Sequence, residues 1–170
     1  MSPTRMRVSV RYGTHLPALL RACLKTRGPV LELGIGIFST PVLHWLCAIQ
    51  NRRLMTIDND RDWYQWGTQY QSIDHRMLLV EDWAEAPIER DWDVALVDHS
   101  PDFRRAYEIK RLSNSASYIV CHDANGRYHR QYGYDRMFPT FKSMTVYDKA
   151  NPHTVVLSNF VDLADFWSNP

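Results

Sequence analysis

A glycine turn that links an apolar strand to a helix start constrains the fold of this chain most strongly. Residues 28–41 run Gly-Pro-Val-Leu-Glu-Leu-Gly-Ile-Gly-Ile-Phe-Ser-Thr-Pro. The mostly apolar segment Val30–Leu33 has the length and composition of a strand that is covered on both faces. Gly34 and Gly36 permit a tight turn and a close approach of the backbone. The stretch therefore predicts a buried strand with a turn at its carboxyl end.

The residues after the turn predict a helix whose first turn faces a ligand. Ser39 or Thr40 is suited to cap this helix, and Pro41 fits its first turn. The N–H groups at a helix start have no partner within the helix, so they attract polar or anionic groups. We therefore expect a cofactor site at the carboxyl end of the sheet.

Two residues of this stretch bear on the kind of cofactor. The dinucleotide-binding fingerprint requires a third glycine for close packing of helix on strand, but Ser39 stands at that place. Binding of a pyrophosphate is therefore disfavoured. Glu32 lies within the strand, where a carboxylate is costly unless a cation or a hydrogen-bond donor meets it. A ligand that carries an amino group would satisfy this side chain.

The pattern Glu32-x-Gly34-x-Gly36 followed by Ser39-Thr40 resembles the first motif of class I S-adenosylmethionine-dependent methyltransferases. The resemblance implies a Rossmann-like fold in which the turn holds the amino-acid part of S-adenosylmethionine. Three alternatives stay open: a strand–turn–helix of another α/β protein, a different nucleotide-using Rossmann enzyme, and a cofactor-binding module without catalysis.

Acidic residues follow the second and third predicted strands. Asp58 ends the second strand about twenty residues after the turn, where Rossmann-like proteins place a carboxylate that accepts hydrogen bonds from ribose. Asp58 also fits a helix cap, although Asp60 is the better placed of the two. The resemblance assigns the adenine amino group to Asp82 and the adenine ring to Trp83. The alternative for this pair is a turn with a buried tryptophan.

Histidine and carboxylate side chains follow the next two predicted strands. The fourth strand ends in Asp98-His99, and the fifth ends in His122-Asp123-x-Asn125. Because the carboxyl ends of parallel strands meet at one edge of a sheet, we expect these side chains to share a rim. We also expect Asp98 to contact the cofactor.

The end of the chain predicts the rest of the sheet. The segments Met144–Tyr147 and Thr154–Ser158 fit an antiparallel hairpin around Asn151-Pro152. The predicted fold is a doubly wound α/β domain: a seven-stranded, mostly parallel sheet with an antiparallel C-terminal hairpin and helices on both faces. A length of 170 residues with 45% hydrophobic content fits one domain over 1–170, with a helical segment at 1–27 packed on the core.

The resemblance implies transfer of a methyl group to an oxygen of a small-molecule acceptor, with nitrogen as the second choice. Some small-molecule O-methyltransferases bind Mg²⁺ or Ca²⁺, for which Asp98, Asp123 and Asn125 are the candidate ligands here. Without a metal, His99 or His122 is the candidate general base, oriented by a carboxylate such as Asp123. His99 is preferred because it follows the strand nearest the transferred methyl group.

Charge and composition bear on the partners. With 20 basic and 19 acidic residues, the chain has no overall field that attracts nucleic acid or an anionic membrane. The basic and aromatic run Arg127–Arg136 fits stacked bases or a small aromatic substrate, so a nucleic-acid acceptor is the weaker alternative. We expect residues 1–15, 126–141 and the C-terminal tail to build the substrate pocket. A contribution from a second subunit, in a homodimer, stays open.

The chain shows no pattern of export or membrane insertion. Cys23, Cys47 and Cys121 are odd in number and far apart, which favours buried, reduced thiols. The first residues lack the apolar core of a signal peptide, and no apolar run has the length of a membrane span. We therefore expect a soluble, cytoplasmic protein.

Overall fold

One seven-stranded sheet forms the centre of the molecule. The computed structural model describes residues 8–168. The strands are β1 (Val30–Leu33), β2 (Leu54–Asp58), β3 (His75–Leu79), β4 (Trp92–Val97), β5 (Ala116–Cys121), β6 (Ser143–Tyr147) and β7 (Thr154–Ser158). Their order across the sheet is β3-β2-β1-β4-β5-β7-β6.

The strand directions confirm the predicted fold. Strands β1 to β5 pair in parallel, and β7 lies antiparallel between β5 and β6. The order reverses at β1, because β2 and β3 extend to one side of it and β4 and β5 to the other. In open α/β sheets, ligands bind at the carboxyl ends of the strands where the order reverses. The fold therefore places the glycine turn, which follows β1, at the expected ligand position.

Helices cover both faces of the sheet. They are α1 (Leu16–Leu24), α2 (Ser39–Ile49), α3 (Arg61–Gly67), α4 (Arg105–Leu112), α5 (Arg127–Gln131) and α6 (Tyr134–Met137). Leu19 of α1 and Leu43 of α2 pack with Val30 in one apolar layer. Ile109 of α4 and Tyr134 of α6 pack with Leu31 and Leu33 of β1 in the other. Alternate residues of β1 thus enter opposite layers, as the pleat of a strand requires.

Local details of the helices differ from the predictions. Helix α2 begins at Ser39, so Ser39 and Thr40 lie inside the helix and neither caps it. The apolar side chains of Leu24 at the end of α1 and Ile49 at the end of α2 are 60% and 79% exposed. Ile49 lies two residues beyond the buried Cys47, which is about 200° around the helix from it. Asp60 caps α3 as predicted, since its carboxylate accepts hydrogen bonds from two N–H groups of the first turn.

The C-terminal tail docks on the body of the domain. Phe166 packs against Tyr118 of β5, and Trp167 lies against Tyr147 of β6. The three cysteines have free, buried thiols, as predicted. Within residues 8–168, none of the helices has the length and apolar character needed to cross a membrane.

Candidate active site

A cavity of about 580 Å³ opens at the carboxyl ends of β1, β2, β4 and β5. One part of it is bounded by the glycine turn, Asp58 and Trp63. The other part is bounded by polar side chains after β4 and β5 and by aromatic side chains from two further segments. Those side chains are Tyr12, His15, Asp98, Arg105, His122, Asp123, Tyr128 and Tyr132. Residues 1–7 were also predicted to help build the substrate pocket, but they lie outside the described part of the chain.

Gly34 brings the ends of β1 and β4 into close contact. Its φ angle is +96°, in the region that favours glycine. A Cβ atom at this position would lie 2.6 Å from the carbonyl oxygen of Asp98. The Gly34 N–H donates to the carbonyl of Ile57, which ties the turn to β2 as well. The ends of β1, β2 and β4 thus approach one another closely at the bottom of the cavity, and only glycine fits at position 34.

Asp58 holds the glycine turn from the end of β2. One carboxylate oxygen accepts a hydrogen bond from the Ile35 N–H at 2.7 Å, and the other accepts from the Asp60 N–H at 2.8 Å. The side chain is buried, and this burial raises the pKa of Asp58 to about 6 although the N–H donors oppose the shift. Asp58 lines the cavity at the position predicted for a ribose ligand.

Glu32 is buried beneath the turn, where its partners are threonines. Thr40 donates from its hydroxyl to the carboxylate at 2.9–3.0 Å, and Thr56 donates at 2.8 Å. The Thr40 hydroxyl also accepts a hydrogen bond from the Gly36 N–H at 3.0 Å. Burial raises the pKa of Glu32 to about 7 despite these donors. We expected a ligand amino group to satisfy Glu32, but α2 and β2 supply its hydrogen bonds.

The polar contacts of Glu32 extend to two histidines that the sequence did not single out. Thr56 Oγ1 lies 2.9 Å from His75 Nε2, and His75 Nδ1 lies 3.1 Å from His44 Nδ1. Burial lowers the pKa of His75 to about 4, so this imidazole is neutral at pH 7. The glycine turn is thus connected through hydrogen bonds to the surface of α2.

His122 and Asp98 form the polar centre of the other part of the cavity. His122 Nδ1 lies 3.1 Å from Asp98 Oδ2, and Arg105 holds Asp98 Oδ1 at 3.0 Å. Loss of solvent alone would raise the pKa of Asp98, but His122 and Arg105 outweigh it and hold this pKa well below its usual range. Burial opposes protonation of His122, yet the Asp98 carboxylate outweighs burial and raises the pKa of His122. The structure thus brings together two predicted site residues from different strands.

Two residues from the segment before α1 complete this centre, and sequence reasoning missed both. Thr14 Oγ1 lies 2.9 Å from His122 Nε2. His15 is 1% exposed, and its ring meets the ring of His122 edge to face with centroids 4.7 Å apart. Neither ring nitrogen of His15 has a hydrogen-bond partner within residues 8–168. Burial lowers the pKa of His15 to about 4, so it is neutral at pH 7. No motif marks this segment.

Asp123 lies at the edge of the same centre. Its backbone has a φ angle of +54°, which aspartate tolerates better than most residues. Its carboxylate oxygens lie 3.4 Å from the guanidinium of Arg105 and 3.8 Å from His122 Nδ1. Burial and the neighbouring Asp98 raise the pKa of Asp123. Asp123 was predicted to orient His122, and its carboxylate lies farther from His122 Nδ1 than the carboxylate of Asp98, at 3.8 Å against 3.1 Å.

Three predicted site residues have other partners. The His99 ring is fully buried, lies 4.1 Å from the Trp83 ring by centroid, and meets Glu108 through Nε2 at 3.2 Å. His99 is among the residues that line the cavity, and its Nδ1 has no hydrogen-bond partner within residues 8–168. Trp83 is 2% exposed, donates from its indole to the Ser100 carbonyl at 2.7 Å, and is not among the residues that line the cavity. Asp82 caps the short turn Trp83–Glu85. For Asp82 and Trp83, the turn with a buried tryptophan is the arrangement observed.

The predicted Mg²⁺ or Ca²⁺ ligands are not assembled. The Asn125 side chain donates to Asn151 at 3.0 Å and accepts from the His153 N–H at 3.0 Å, so its amide is engaged in the loop before β7. Asp98 and Asp123 are both paired with Arg105. The guanidinium of Arg105 thus lies between the two carboxylates that were predicted to bind the cation.

Comparisons with known proteins identify the fold. No family model and no curated protein matches the sequence. The structure is similar to that of cofactor-bound Rv0187 from MTB, with 16% identity, a TM-score of 0.67, and coverage of 92% of this chain and 84% of that chain. A methyltransferase from Geobacter sulfurreducens matches with 18% identity, a TM-score of 0.64, and coverage of 88% and 79%. Human methyltransferase-like protein 13 in complex with SAH matches with 12% identity, a TM-score of 0.64, and coverage of 87% and 82%. The chain has the fold of these proteins.

Proposed function

We propose that this protein binds S-adenosylmethionine and transfers its methyl group to an oxygen of a small-molecule acceptor. The observation that carries the proposal is one cavity that joins the glycine turn and Asp58 to the His122–Asp98 pair. The similarity to solved methyltransferases supports the same class of reaction. An electrophilic methyl group, supplied by the bound cofactor, would lie between the two parts of the cavity.

The chemistry of the turn fits the cofactor. The first turn of α2 begins three residues after Gly36, and the first N–H groups of a helix have no partner within it. These groups favour a carboxylate. Asp58 stands across the turn, where its carboxylate would accept hydrogen bonds from sugar hydroxyls while it holds the Ile35 N–H. Backbone donors and a strand-end carboxylate thus match the amino-acid and ribose portions of S-adenosylmethionine.

The opposite part of the cavity fits a hydroxyl acceptor. An oxygen nucleophile must lose its proton during methyl transfer, and a histidine beside a carboxylate is suited to receive it. We infer that the acceptor hydroxyl takes the place of Thr14 at His122 Nε2, while Asp98 stabilises the protonated imidazole at Nδ1. Tyr128 and Tyr132 would pack on a small aromatic or sugar acceptor. General-base assistance of this kind contributes roughly 10²–10⁴-fold to a rate.

Calorimetric titration tests the cofactor half of the proposal. We expect S-adenosylmethionine and its demethylated product to bind with similar affinity, and NAD not to bind. Asp58→Ala should weaken cofactor binding roughly 10- to 100-fold, since a buried hydrogen-bond partner contributes about 1–3 kcal/mol. Asp74→Ala is the matched control, because Asp74 is exposed and precedes β3 at the opposite end of the sheet. Equal affinity of both variants would remove Asp58 from the site.

A further inference from the structure

Three potential metal ligands meet beside the cavity, and they are not the three that the sequence suggested. One ligand atom from each of His15, Asp98 and His122 lies within 4.8 Å of the others. Asp98 Oδ2 is 3.1 Å from His122 Nδ1 and 3.9 Å from His15 Nδ1. The ligand atoms of a tetrahedral ion with bonds of about 2.0–2.1 Å lie roughly 3.4 Å apart. Side-chain shifts of about an ångström would therefore complete the geometry.

We propose that His15, Asp98 and His122 bind one divalent transition-metal ion, Zn²⁺ foremost, with an open coordination position that faces the cavity. The unpartnered state of His15 is the strongest support. A buried polar group without a hydrogen bond is costly, yet neither nitrogen of this 1%-exposed ring has a partner in the described chain. The ring lines the cavity and presents Nδ1 toward the carboxylate of Asp98. A metal ion would give this nitrogen the partner that it lacks.

The neighbours of the cluster orient its members as metal ligands. Thr14 Oγ1 has an acceptor in the Arg11 carbonyl at 3.3 Å, so it is free to accept a hydrogen bond from His122 Nε2–H. His122 Nδ1 then carries the lone pair and faces Asp98, an arrangement that needs a proton or a metal ion between the two atoms. Metal-bound histidines usually donate their other N–H in this manner. Arg105 occupies only Oδ1 of Asp98, which leaves Oδ2 for the ion.

The ligand types select the class of metal. Two imidazoles with one carboxylate suit Zn²⁺ and, in open sites, Fe²⁺. Mg²⁺ and Ca²⁺ prefer sites built from oxygen ligands. The charges around the cluster also favour an added cation: Asp98 and Asp123 carry two negative charges, and Arg105 offsets only one of them.

The ion would hold an acceptor oxygen at its open position and lower the pKa of that oxygen. This role rests on the proposed methyl transfer, whereas the metal site itself does not. The two interpretations of the cluster differ in the tautomer of His122, since the acid–base pair needs its lone pair at Nε2 and the metal site needs it at Nδ1, and they differ in His15. An acid–base pair of His122 and Asp98 needs no nitrogen from His15, but a three-ligand metal site does.

Titration of the metal-free wild-type protein with Co²⁺ tests the site, because Co²⁺ replaces Zn²⁺ and its visible absorption reports bound ligands. We expect one equivalent of Co²⁺ to bind, Zn²⁺ to displace it, and millimolar Mg²⁺ or Ca²⁺ to leave it in place. His15→Phe should bind Co²⁺ at least 30-fold more weakly. Its thermal unfolding midpoint without metal should be no lower than that of the wild type, since the ring loses no hydrogen bond. His153→Ala, outside the cavity, is the control and should bind as the wild type does.

The proposal is overturned if the wild type shows no saturable Co²⁺ absorption, or if His15→Phe binds as tightly as the wild type. Circular dichroism establishes that the variant is folded. If His15→Phe does not fold, His122→Gln replaces it, and unchanged Co²⁺ binding by that variant also overturns the site. Cofactor titration of the same metal-free preparation separates the two proposals. Cofactor binding without Co²⁺ binding removes only the metal site, and Co²⁺ binding without cofactor binding removes only the methyltransferase.

Discussion

Replacement of Glu32 by glutamine should stabilise the protein at high pH and not at low pH. Glu32 is fully buried, and its pKa is raised from 4.5 to about 7 by that burial. The folded protein therefore binds a proton that the unfolded chain releases between these two values. The stability that Glu32 contributes is fully present below pH 4.5 and is lost as the pH rises through 7. Glutamine does not ionise, so Glu32→Gln does not undergo this loss.

The magnitude follows from the pKa. A rise from 4.5 to about 7 corresponds to about 3 kcal/mol, because one pH unit is worth about 1.4 kcal/mol. The glutamine amide can keep the contacts with Thr40 and Thr56, since a hydroxyl both donates and accepts. The variant should thus gain up to about 3 kcal/mol of unfolding free energy over the wild type between pH 4.5 and pH 8.

Urea unfolding at pH 5, 6, 7 and 8 measures this difference. His15 and the other titrating groups that do not act on Glu32 are present in both proteins, so their contributions cancel in the comparison. Glu81→Gln is the matched control, because Glu81 is exposed after β3, and its unfolding free energy should follow that of the wild type at every pH. A constant difference between Glu32→Gln and the wild type across this range would refute the account of a buried, ionising carboxyl group.

Two further predictions concern the turn and the base. Gly34→Ala should destabilise the fold by about 2 kcal/mol or more and abolish cofactor binding, because φ is +96° and the new methyl group would overlap the Asp98 carbonyl. Chemical denaturation measures the loss of stability, and calorimetry measures the loss of cofactor binding. Stability and binding equal to those of the wild type would contradict the close approach of Gly34 to Asp98. His122→Gln should lower turnover at least about 100-fold with cofactor affinity nearly unchanged. His99→Gln is its matched comparison: it should retain most turnover and lose only stability, because the His99 ring contacts Trp83 and Glu108. The reverse ranking in a methyl-transfer assay would restore His99 as the base.

The sheet was predictable because each of its strands is marked locally. Apolar segments such as Val94–Val97 lie between polar turns, and their short length favours strands over helices. Asp58 and Asp98 could be placed for the same reason: a residue that ends a parallel strand lies at the ligand edge whatever its neighbours are. The fold was therefore predictable from local sequence patterns together with the topology that parallel strands impose.

Side-chain direction was not predictable from the same information. His99 and His122 both follow a strand, yet His99 turns toward Glu108 of α4 and His122 toward Asp98. The choice depends on which helix packs over each strand end, which is a tertiary contact. His15 lies 107 residues before His122, and no local sequence pattern predicts the contact between their rings. Glu32 was identified as an unusual buried carboxylate, but Thr40 and Thr56 satisfy it from elements whose register the sequence does not reveal.

The most direct test of the account is calorimetric titration of the wild-type protein with S-adenosylmethionine, with its demethylated product, and with NAD. The account predicts one-to-one binding of the first two ligands, weakened by Asp58→Ala and unaffected by Asp74→Ala, and no binding of NAD. Binding of NAD alone would contradict it, because the glycine turn with Ser39 in place of a third glycine would then hold a dinucleotide, and the methyl-transfer mechanism would have to be abandoned.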